Sequence, residues 1–518
     1  MKKKWREILR VALSAEILHV AYIALSMVLQ LAVLGVAALF LQQHFVFFYA
    51  LSTLFALCVS LYILNSKSNP AYKITWITLI LFLPVFGILL YLFFGLEYRG
   101  KKLKRKLKKV EEQSFRCLAN PQAEKLETLV PENVAVQNQM HYLREKVHCP
   151  VYTATRTQYY PLGEDAFEGI KEELRKAKKF IFIEFFIIAS GRMWDEILAI
   201  LKEKVAAGVE VRVMYDGFGS IITLPRNYEK ELQKYGIQCR QFNKLVPVLN
   251  AIVNHRDHRK IIVVDGKVGF TGGINIADEY INAYEKHGHW KDTAILLEGE
   301  AVWSLTVMFL TTWHFISGTD EDFFRYRQPN PAAFPDCGLV QPYYDSPLDG
   351  ELTGENVYFN MITRAQRYVY IQTPYLVPDN EMLTALCNAA KQGVDVRIVV
   401  PHIHDHWYAH ALTRSNYELL TESGVRIYEY TPGFIHSKIF ICDDELATIG
   451  TFNMDYRSLY LHFECGVLLY KASVIEDMLQ DFHGIVEKSH EITHEEAVNT
   501  PWYRKFGRAL LKVLAPLI

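Results

Sequence analysis

Long apolar segments without charged residues mark the N-terminal part of the chain. No Asp, Glu, Lys or Arg occurs between Ile17 and Ser66. At about 1.5 Å per helical residue this stretch can cross a hydrocarbon layer of about 30 Å twice, and we predict helices over Val20–Leu41 and Phe45–Leu64. A third charge-free segment, Ile74–Leu96, is interrupted by a proline and a glycine, which membrane helices tolerate. A cleaved signal peptide is disfavoured because the stretch is too long and ends without a small-residue cleavage site.

Basic residues flank these segments and predict their orientation. Eight of the eleven residues in 99–109 are Lys or Arg. The positive-inside rule therefore places this end, and the region after it, in the cytoplasm as part of a multi-pass protein of the cell membrane. Residues 2–10 carry five more basic side chains and have the same preference, so two spans and three spans both stay open. The basic run either binds anionic headgroups or only sets the topology.

Apolar strands alternate with amphipathic helices from about residue 150 onward, and the same order occurs twice. The first copy is the strand Phe180–Ile188, the helix Trp194–Ala206 and the strand Val209–Val213; the second is Tyr368–Tyr375, Met382–Lys391 and Val394–Ile398. Two long copies predict two homologous α/β halves rather than a solenoid. Helices between the strands predict a mostly parallel sheet in each half.

Each half ends in the same pattern of polar residues. The spacing is H-x-K, four residues, D, six residues, then G-[GT]-x-N. The first copy is formed by His258, Lys260, Asp265 and Asn275, and the second by His436, Lys438, Asp443 and Asn453. His and Lys two apart on a strand share a face, so two such faces brought together would surround one phosphate with a nucleophile, an acid and positive charge. The site needs no metal, since lysines neutralise the phosphoryl oxygens.

The two aspartates of this pattern have two possible roles. We count Asp265 and Asp443 with the motif, but both lie too far along their strands to share the histidine face. A structural role and a catalytic role both stay open for them.

The duplicated H-x-K-x4-D pattern resembles the phospholipase D superfamily, over roughly Tyr152 to Val486. The resemblance implies that His258 attacks phosphorus to form a phospho-histidine, and that His436 protonates the leaving alcohol and later deprotonates the incoming one. Spacing alone leaves the two histidines equivalent. The resemblance also implies that the phosphate is bound by Lys260, Lys438, Asn275 and Asn453.

Finer details are similar to bacterial cardiolipin synthases. Asn254–Ile261, Gly272–Tyr280 and Thr373–Asp379 resemble that family, whereas Ala294 stands where the family has His in its W-R-D-T-H stretch. Glu464 fits the family's acidic position after the second motif, and we expect it to bind substrate, to orient one of the histidines, or to lie near the surface. The resemblance implies transfer of a phosphatidyl group from one phosphatidylglycerol to another, giving cardiolipin and glycerol at an anionic membrane without a cofactor.

Other functions on the same scaffold stay open. A membrane-bound phospholipase D-type hydrolase would use water as the acceptor, and another phosphatidyltransferase, such as a phosphatidylserine synthase, would use a different alcohol. The apolar N-terminal segments count against a nuclease, and we expect no nucleic-acid partner. A net charge of −1 gives no overall attraction for nucleic acid or membrane. The two complete motifs count against a non-catalytic membrane module.

Three further features have two interpretations each. The eight cysteines are scattered without a C-x-x-C pair, which favours reduced cysteines over a disulfide framework or a zinc site. The histidines at 402, 404, 406 and 410 form either a metal site or a substrate-facing loop at a strand end. The segment Trp502–Leu514 is amphipathic if helical, with basic and aromatic sides, and would lie on a membrane surface or pack on the protein core.

These patterns together predict an α/β fold of two homologous halves packed around one active site, preceded by an N-terminal transmembrane helical region. The predicted divisions are a membrane region (1–98), a basic linker (99–150), a first half (151–335), a second half (336–500) and an amphipathic C-terminal segment (501–518).

Overall fold

The computed structural model describes residues 45–95, 100–119, 125–130, 132–244, 254–328 and 337–517, with positions 25, 28, 32, 35, 36 and 334. The chain divides into two compact units. One comprises Met1–Lys101, Val246–Asn254 and Phe506–Ile518, and the other comprises Lys102–Leu245 and His255–Lys505. The predicted helix Val20–Leu41 lies outside the described ranges.

The first unit contains a helical hairpin. Helix α1 spans Phe45–Leu64, as predicted, and α2 spans Pro70–Phe82. Among the described residues, only the stretch Val46–Leu64 is long and apolar enough, by length and composition, to cross a membrane. Asn69 caps α2 by accepting a hydrogen bond from the Ala71 N–H at 2.8 Å, and Pro70 occupies the first turn, where its missing N–H costs nothing.

The third predicted apolar segment is not one continuous helix. Helix α2 ends before Pro84, and a short helix α3 (Phe86–Leu90) and a π-helical turn (Tyr91–Gly95) follow. Proline lacks the N–H that would continue the α2 ladder, which explains the break. Gly87 lets the chain approach α2 closely, since a Cβ there would lie 2.7 Å from Ile80 Cα.

The second unit holds the two α/β halves. Its helices are α4 (Gly100–Leu118, from Lys102 onward in this unit), α5 (Leu126–Leu129), α6 (Val134–Glu145), α7 (Gly163–Lys176), α8 (Arg192–Ala206), α9 (Tyr228–Gln233), α10 (Val302–Ser317), α11 (Thr353–Arg364), α12 (Asn380–Lys391), α13 (Trp407–Arg414), α14 (Tyr417–Glu422), α15 (Tyr456–Tyr460), α16 (Val474–Glu487) and α17 (His494–Val498). The region predicted as a basic linker is thus largely helical, and the face of α4 that carries Leu107 and Val110 is buried.

Two sheets form the halves. The strands of the first half are β1 (Thr155–Tyr160), β2 (Phe180–Phe185), β3 (Glu210–Asp216), β4 (Gln238–Phe242), β5 (Arg256–Asp257), β6 (Lys260–Val264), β7 (Val268–Gly272), β8 (His289–Lys291) and β9 (Ala294–Gly299). Those of the second are β10 (Leu339–Asp345), β11 (Tyr368–Gln372), β12 (Leu376–Val377), β13 (Asp395–Pro401), β14 (Arg426–Tyr430), β15 (Gly433–Ile435), β16 (Ile439–Cys442), β17 (Leu446–Gly450), β18 (Met454–Asp455), β19 (His462–Tyr470) and β20 (Ser489–Ile492). All repeated elements predicted from the sequence are present, with ends shifted by a few residues.

The strand orders confirm that the halves are copies of one topology. The first sheet has the order β1-β9-β7-β6-β2-β3-β4, and the second β10-β19-β17-β16-β11-β13-β14-β20. The expectation of mostly parallel sheets is wrong, because only the β2–β3–β4 and β11–β13–β14 pairs are parallel along these paths. The strands after each H-x-K motif return through three-residue loops, and such short connections produce antiparallel pairs.

The two sheets share one hydrophobic core. It contains Phe182 and Val263 of the first sheet, Ile441 and Val467 of the second, and most of α10. A separate core lies on the opposite side of each sheet, where α7 and α8 cover the first and α11 and α12 the second. Strand β2 is therefore buried along its whole length, as its nearly continuous apolar sequence predicted.

The C-terminal segment forms helix α18 (Trp502–Leu514), and none of its residues is buried. Trp502, Phe506 and Leu510 are each more than half exposed. The apolar side of the helix is therefore largely exposed. In the first unit the end of this helix contacts the hairpin, where the Thr75 hydroxyl donates to the Val513 carbonyl at 2.6 Å.

Candidate active site

The two motif histidines lie at equivalent points, each held by a strand of the other half. His258 follows β5, which pairs in parallel with β19, and its N–H donates to the Phe463 carbonyl at 2.9 Å. His436 follows β15, which pairs in parallel with β8, and its N–H donates to the Lys291 carbonyl at 2.7 Å. The short strand before each motif thus pairs with a strand of the other half.

Each half also supplies the carboxylate that contacts the motif histidine of the other half. Glu464 of the second half lies with both carboxylate oxygens 2.9 Å from His258 Nδ1. Asp292 of the first half lies 2.6 Å from His436 Nδ1. A carboxylate can only accept, so each neutral imidazole carries its proton on Nδ1 and presents Nε2 as a lone pair. Both histidines are oriented for chemistry at Nε2.

The residues around each orienting carboxylate either hydrogen-bond to it or leave room for it. Glu464 is fully buried and accepts hydrogen bonds from the Thr451 hydroxyl and, at 2.5 Å, from the Ser458 hydroxyl. At the motif position equivalent to Thr451, the first half has Gly273, where a Cβ would lie 2.1 Å from Asp292 Oδ1. Glycine is required there to admit the aspartate.

The motif lysines are buried beside the histidines. Lys260 donates to the carbonyl of His258 at 2.5 Å, and Lys438 donates to the carbonyl of His436. Burial lowers the pKa of Lys260 to about 8 and that of Lys438 to about 7, although Asp292 and Glu464 oppose the shift. Lys438 Nζ also lies 2.8 Å from His436 Nδ1, but that nitrogen donates to Asp292 and cannot accept from the ammonium.

The same burial favours the neutral form of both histidines while no phosphate is bound. It lowers the pKa of His258 well below its ordinary value, and the positive charges of Lys260 and Lys438 lower it further. Burial and Lys438 lower the pKa of His436 to about 4, while Asp292 opposes the shift. These interactions cross between the halves, so the structure brings both histidines and both lysines into one site.

The two motif asparagines differ in what they contact. Asn275 accepts from the Ile187 N–H at 3.1 Å and donates to the Tyr280 hydroxyl at 2.7 Å. Its amide is engaged within the protein, which argues against the predicted phosphate contact. Asn453 is buried, and its side-chain oxygen has no hydrogen-bond partner. Of the pair, Asn453 has hydrogen-bonding capacity left for a ligand.

The motif aspartates lie at the other end of their strands. Asp265 accepts from the backbone N–H groups of residues 178, 179 and 180, and Asp443 from those of residues 366, 367 and 368. At about 3.3 Å per residue, five residues separate Asp265 from Lys260 by about 16 Å. Their inclusion in the catalytic set is not supported by this geometry. They tie the hairpin loop after each motif to the start of the neighbouring strand.

The predicted histidine cluster is divided among separate partners. His402 pairs with Glu429 at 2.9 Å, and His406 pairs with Asp405 at 2.8 Å. Within the ranges that the structure describes, the group of three residues with metal-ligand geometry is instead His258, His462 and Glu464, whose ligand atoms lie within 4.8 Å of one another. Lys260 and Lys438 add positive charge beside it, so the site favours an anion over a cation.

Sequence reasoning did not identify Asp292 as a site residue. The signal was present, because Asp292 lies within the stretch Trp290–Ala294 that resembles a family motif. Comparing the halves would have found it, because Asp292 directly follows β8 and Glu464 lies on β19, and these two strands pair with the residues just before the motif histidine of the other half. Glu464 was identified, and its place is beside His258 rather than at the surface.

Two α/β halves that pool two H-x-K motifs in one site define a protein of the phospholipase D type. A family model described as cardiolipin synthase, PLD-like domain, matches residues 170–295 and 358–486, and one described as phospholipase D-nuclease N-terminal matches residues 53–95. A solved structure, phosphatidylserine synthase from Haemophilus influenzae, has a similar fold, with a TM-score of 0.57 and 16% identity over 74% of this chain and 100% of that one.

Curated relatives cover nearly the whole chain. A cardiolipin synthase of Halalkalibacterium halodurans is 34% identical over 91% of this chain and 94% of its own length, and one of Geobacillus sp. is 37% identical over 87% and 89%. An uncharacterised protein of Streptococcus mutans is 44% identical over 88% of this chain and 99% of its own. The chain belongs to the cardiolipin synthase family of PLD-like proteins.

Proposed function

We propose that this chain is a phosphatidyltransferase that makes cardiolipin and glycerol from two molecules of phosphatidylglycerol. The observation that carries the proposal is the pair of buried histidines, each oriented by a carboxylate of the other half and flanked by two lysines. The curated relatives named cardiolipin synthase support the choice of reaction.

In the first step, His258 Nε2 attacks phosphorus and the bond from phosphorus to the glycerol oxygen breaks. The anionic phosphodiester favours a proton on His436, which enters this step protonated and gives that proton to the leaving oxygen, so free glycerol leaves and a phosphatidyl-histidine remains. In the second step, a hydroxyl of another phosphatidylglycerol loses its proton to His436 and attacks phosphorus. The phosphorus–nitrogen bond breaks, which gives cardiolipin and restores His258.

Electrostatics supports this division of roles between the histidines. A nucleophile must be neutral, and the pKa of His258 is lowered well below the ordinary value by burial and by Lys260 and Lys438. A general acid must also accept a proton, and Asp292 offsets part of the lowering at His436. The lysines neutralise the phosphoryl oxygens, whose charge grows in the transition state.

We also propose that the first unit anchors the catalytic unit to the membrane as a multi-pass region, with the catalytic unit in the cytoplasm. The length and apolar composition of α1 and the basic residues before and within α4 support this arrangement. The exposed aromatic residues of α18 fit the interfacial layer of the same membrane.

The test of the reaction is product analysis with the purified full-length chain in phosphatidylglycerol vesicles labelled in the terminal glycerol. The expected products are cardiolipin and labelled free glycerol in equal amounts. Phosphatidic acid with free glycerol would identify a hydrolase. Added serine that yields phosphatidylserine would identify the other phosphatidyltransferase.

A truncation tests what the anchor contributes to acceptor choice. Water is present at about 55 M, so transfer requires that a lipid alcohol be held at high effective concentration. Removing residues 1–98 should leave glycerol release detectable and shift the product from cardiolipin toward phosphatidic acid. An unchanged product ratio would place acceptor choice in the catalytic unit alone.

A further inference from the structure

The two ring nitrogens of His462 are buried beside the motif histidine of the first half and have no hydrogen-bond partner. Its side chain is 10% exposed, and its Nδ1 lies 3.7 Å from Glu464 Oε1, which is longer than a hydrogen bond. The ring centroid lies 5.5 Å from that of His258.

The position of His462 on β19 directs it toward the site. Side chains two apart on a strand share a face, so His462 lies on the same face as Glu464. Glu464 reaches His258 on that face. Burial lowers the pKa of His462 to about 3, so its imidazole is neutral and offers one N–H donor and one acceptor.

The first half has a counterpart in the equivalent place. Trp290 precedes Asp292 by two residues, as His462 precedes Glu464, and its ring centroid lies 5.7 Å from that of His436. The Trp290 ring nitrogen also has no hydrogen-bond partner. Buried polar atoms without partners destabilise a folded protein, and they are retained where a ligand completes them. Their repetition beside both histidines points to the ligand of this site.

We propose that His462 donates a hydrogen bond to a non-bridging oxygen of the substrate phosphodiester. This inference rests on the proposed function, because it takes the phosphorus attacked by His258 as the ligand. An oxygen bonded to that phosphorus is within reach of a ring 5.5 Å from the nucleophile. A neutral donor adds to the two lysines without placing a third positive charge beside His258.

The test compares His462→Phe with His462→Gln in the full-length protein. Phe fills the site without polar atoms, so thermal unfolding should occur at a higher Tm than in the wild type, while kcat/KM for glycerol release falls at least about tenfold. Gln keeps a donor and should recover most of that loss. A lower Tm together with lower activity in both variants would show a structural role and overturn the proposal, as would a kcat/KM within twofold of wild type for Phe.

Inhibition by inorganic phosphate tests whether the oxygen bound by His462 belongs to the phosphate group. Its inhibition constant should rise in His462→Phe by a factor similar to the loss in kcat/KM. An unchanged inhibition constant would assign His462 to another part of the lipid and overturn the phosphate contact. The matched control is Gln139→Leu, which removes two unpartnered buried polar atoms from α6 and should raise Tm without changing turnover. Because glycerol release is the readout, the test also works if the acceptor proves to be water.

Discussion

The two halves share one strand arrangement, but the residues around their motif histidines differ. Three aromatic rings lie around His436, those of Tyr280, Trp290 and Phe434, with centroids at 5.5, 5.7 and 5.8 Å. At the position equivalent to Phe434, two residues before His258, the first half has the buried cation Arg256. Aromatic faces stabilise a cation, so the second half is the better environment for an imidazolium.

The first half provides less of that stabilisation. His258 has the rings of Phe186 and His462 at 5.0 and 5.5 Å. Both lysines lower the pKa of each histidine, and at His436 Asp292 offsets part of that lowering. A duplicated strand arrangement thus supplies two oriented imidazoles, and the residues around them favour the neutral form on one side and proton exchange on the other. The difference between the halves separates two roles that the identical spacing leaves equivalent.

The largest expected effect comes from removing either histidine. His258→Ala and His436→Ala should each lower cardiolipin formation by at least about 10⁴-fold, because general acid–base help alone contributes about 10²–10⁴-fold and a nucleophile more. A phosphatidyl ester of p-nitrophenol separates the roles, since that leaving group needs no proton. With it, release of p-nitrophenol should recover by about 10²-fold in His436→Ala and should not recover in His258→Ala. The reverse pattern would exchange the assigned roles.

The orienting carboxylates should have the next largest effect. Glu464→Gln and Asp292→Asn preserve shape but remove the charge that fixes each Nδ1 proton, and turnover should fall by about 10²–10³-fold. The p-nitrophenyl ester should partly restore the first step in Asp292→Asn and not in Glu464→Gln. Glu429→Gln is the matched control, because Glu429 is a buried carboxylate that pairs with His402 outside the site, and its turnover should stay near wild type.

We expect deprotonation of the two motif lysines to lower kcat/KM at high pH. Their pKa values lie below the ordinary value, so their charge is lost as pH rises through about 7 for Lys438 and about 8 for Lys260. The kcat/KM for phosphatidylglycerol should therefore decline several-fold between pH 7 and about 9. Lys438→Arg retains its charge and should lower the rate but flatten this decline. A decline that persists unchanged in that variant would assign it to another group.

Local spacing predicted the parts of the site that lie on one strand. The H-x-K pattern placed His258 and Lys260 together at the start of β6, and the distance along that strand indicated that Asp265 would be elsewhere. The partners of the histidines were beyond such reasoning, because Glu464 is 206 residues from His258 and Asp292 is 144 residues from His436. Contacts this distant depend on how the halves exchange strands, which periodicity does not record.

For the fold, the sequence predicted the two copies but not the direction of all their strands. Repeated strands and helices indicated two copies, and the nearly continuous apolar sequence of β2 indicated a strand buried on both faces. The antiparallel strands were missed because the three-residue loop after Val264 was not read as a hairpin, although Asp265 and Gly266 both have positive φ there. Hairpin loops decide strand direction, and their signal is only a few residues long.

Substituting the motif aspartates should have a smaller effect on turnover, and that effect on turnover should be similar in the two halves. Asp265→Ala and Asp443→Ala each remove a carboxylate that accepts three backbone N–H bonds, so each should lose about 1–3 kcal/mol of unfolding free energy. Thermal unfolding should show the loss, while kcat of the folded fraction stays within about threefold of wild type. A kcat loss as large as that of the histidine variants would return Asp265 to the catalytic set.

The smallest expected effect is that of chelation, which tests whether the halves differ by a metal. The second half has His402, His404, His406 and His410 between β13 and β14, whereas the first half has no histidine between β3 and β4. If those residues held a catalytic ion, EDTA would abolish activity and one divalent ion would restore it. His402 and His406 are instead paired with Glu429 and Asp405, and the charge that balances the phosphate comes from Lys260 and Lys438. Activity in phosphatidylglycerol vesicles should therefore be unchanged after dialysis against EDTA, and His402→Gln should respond as the wild type does.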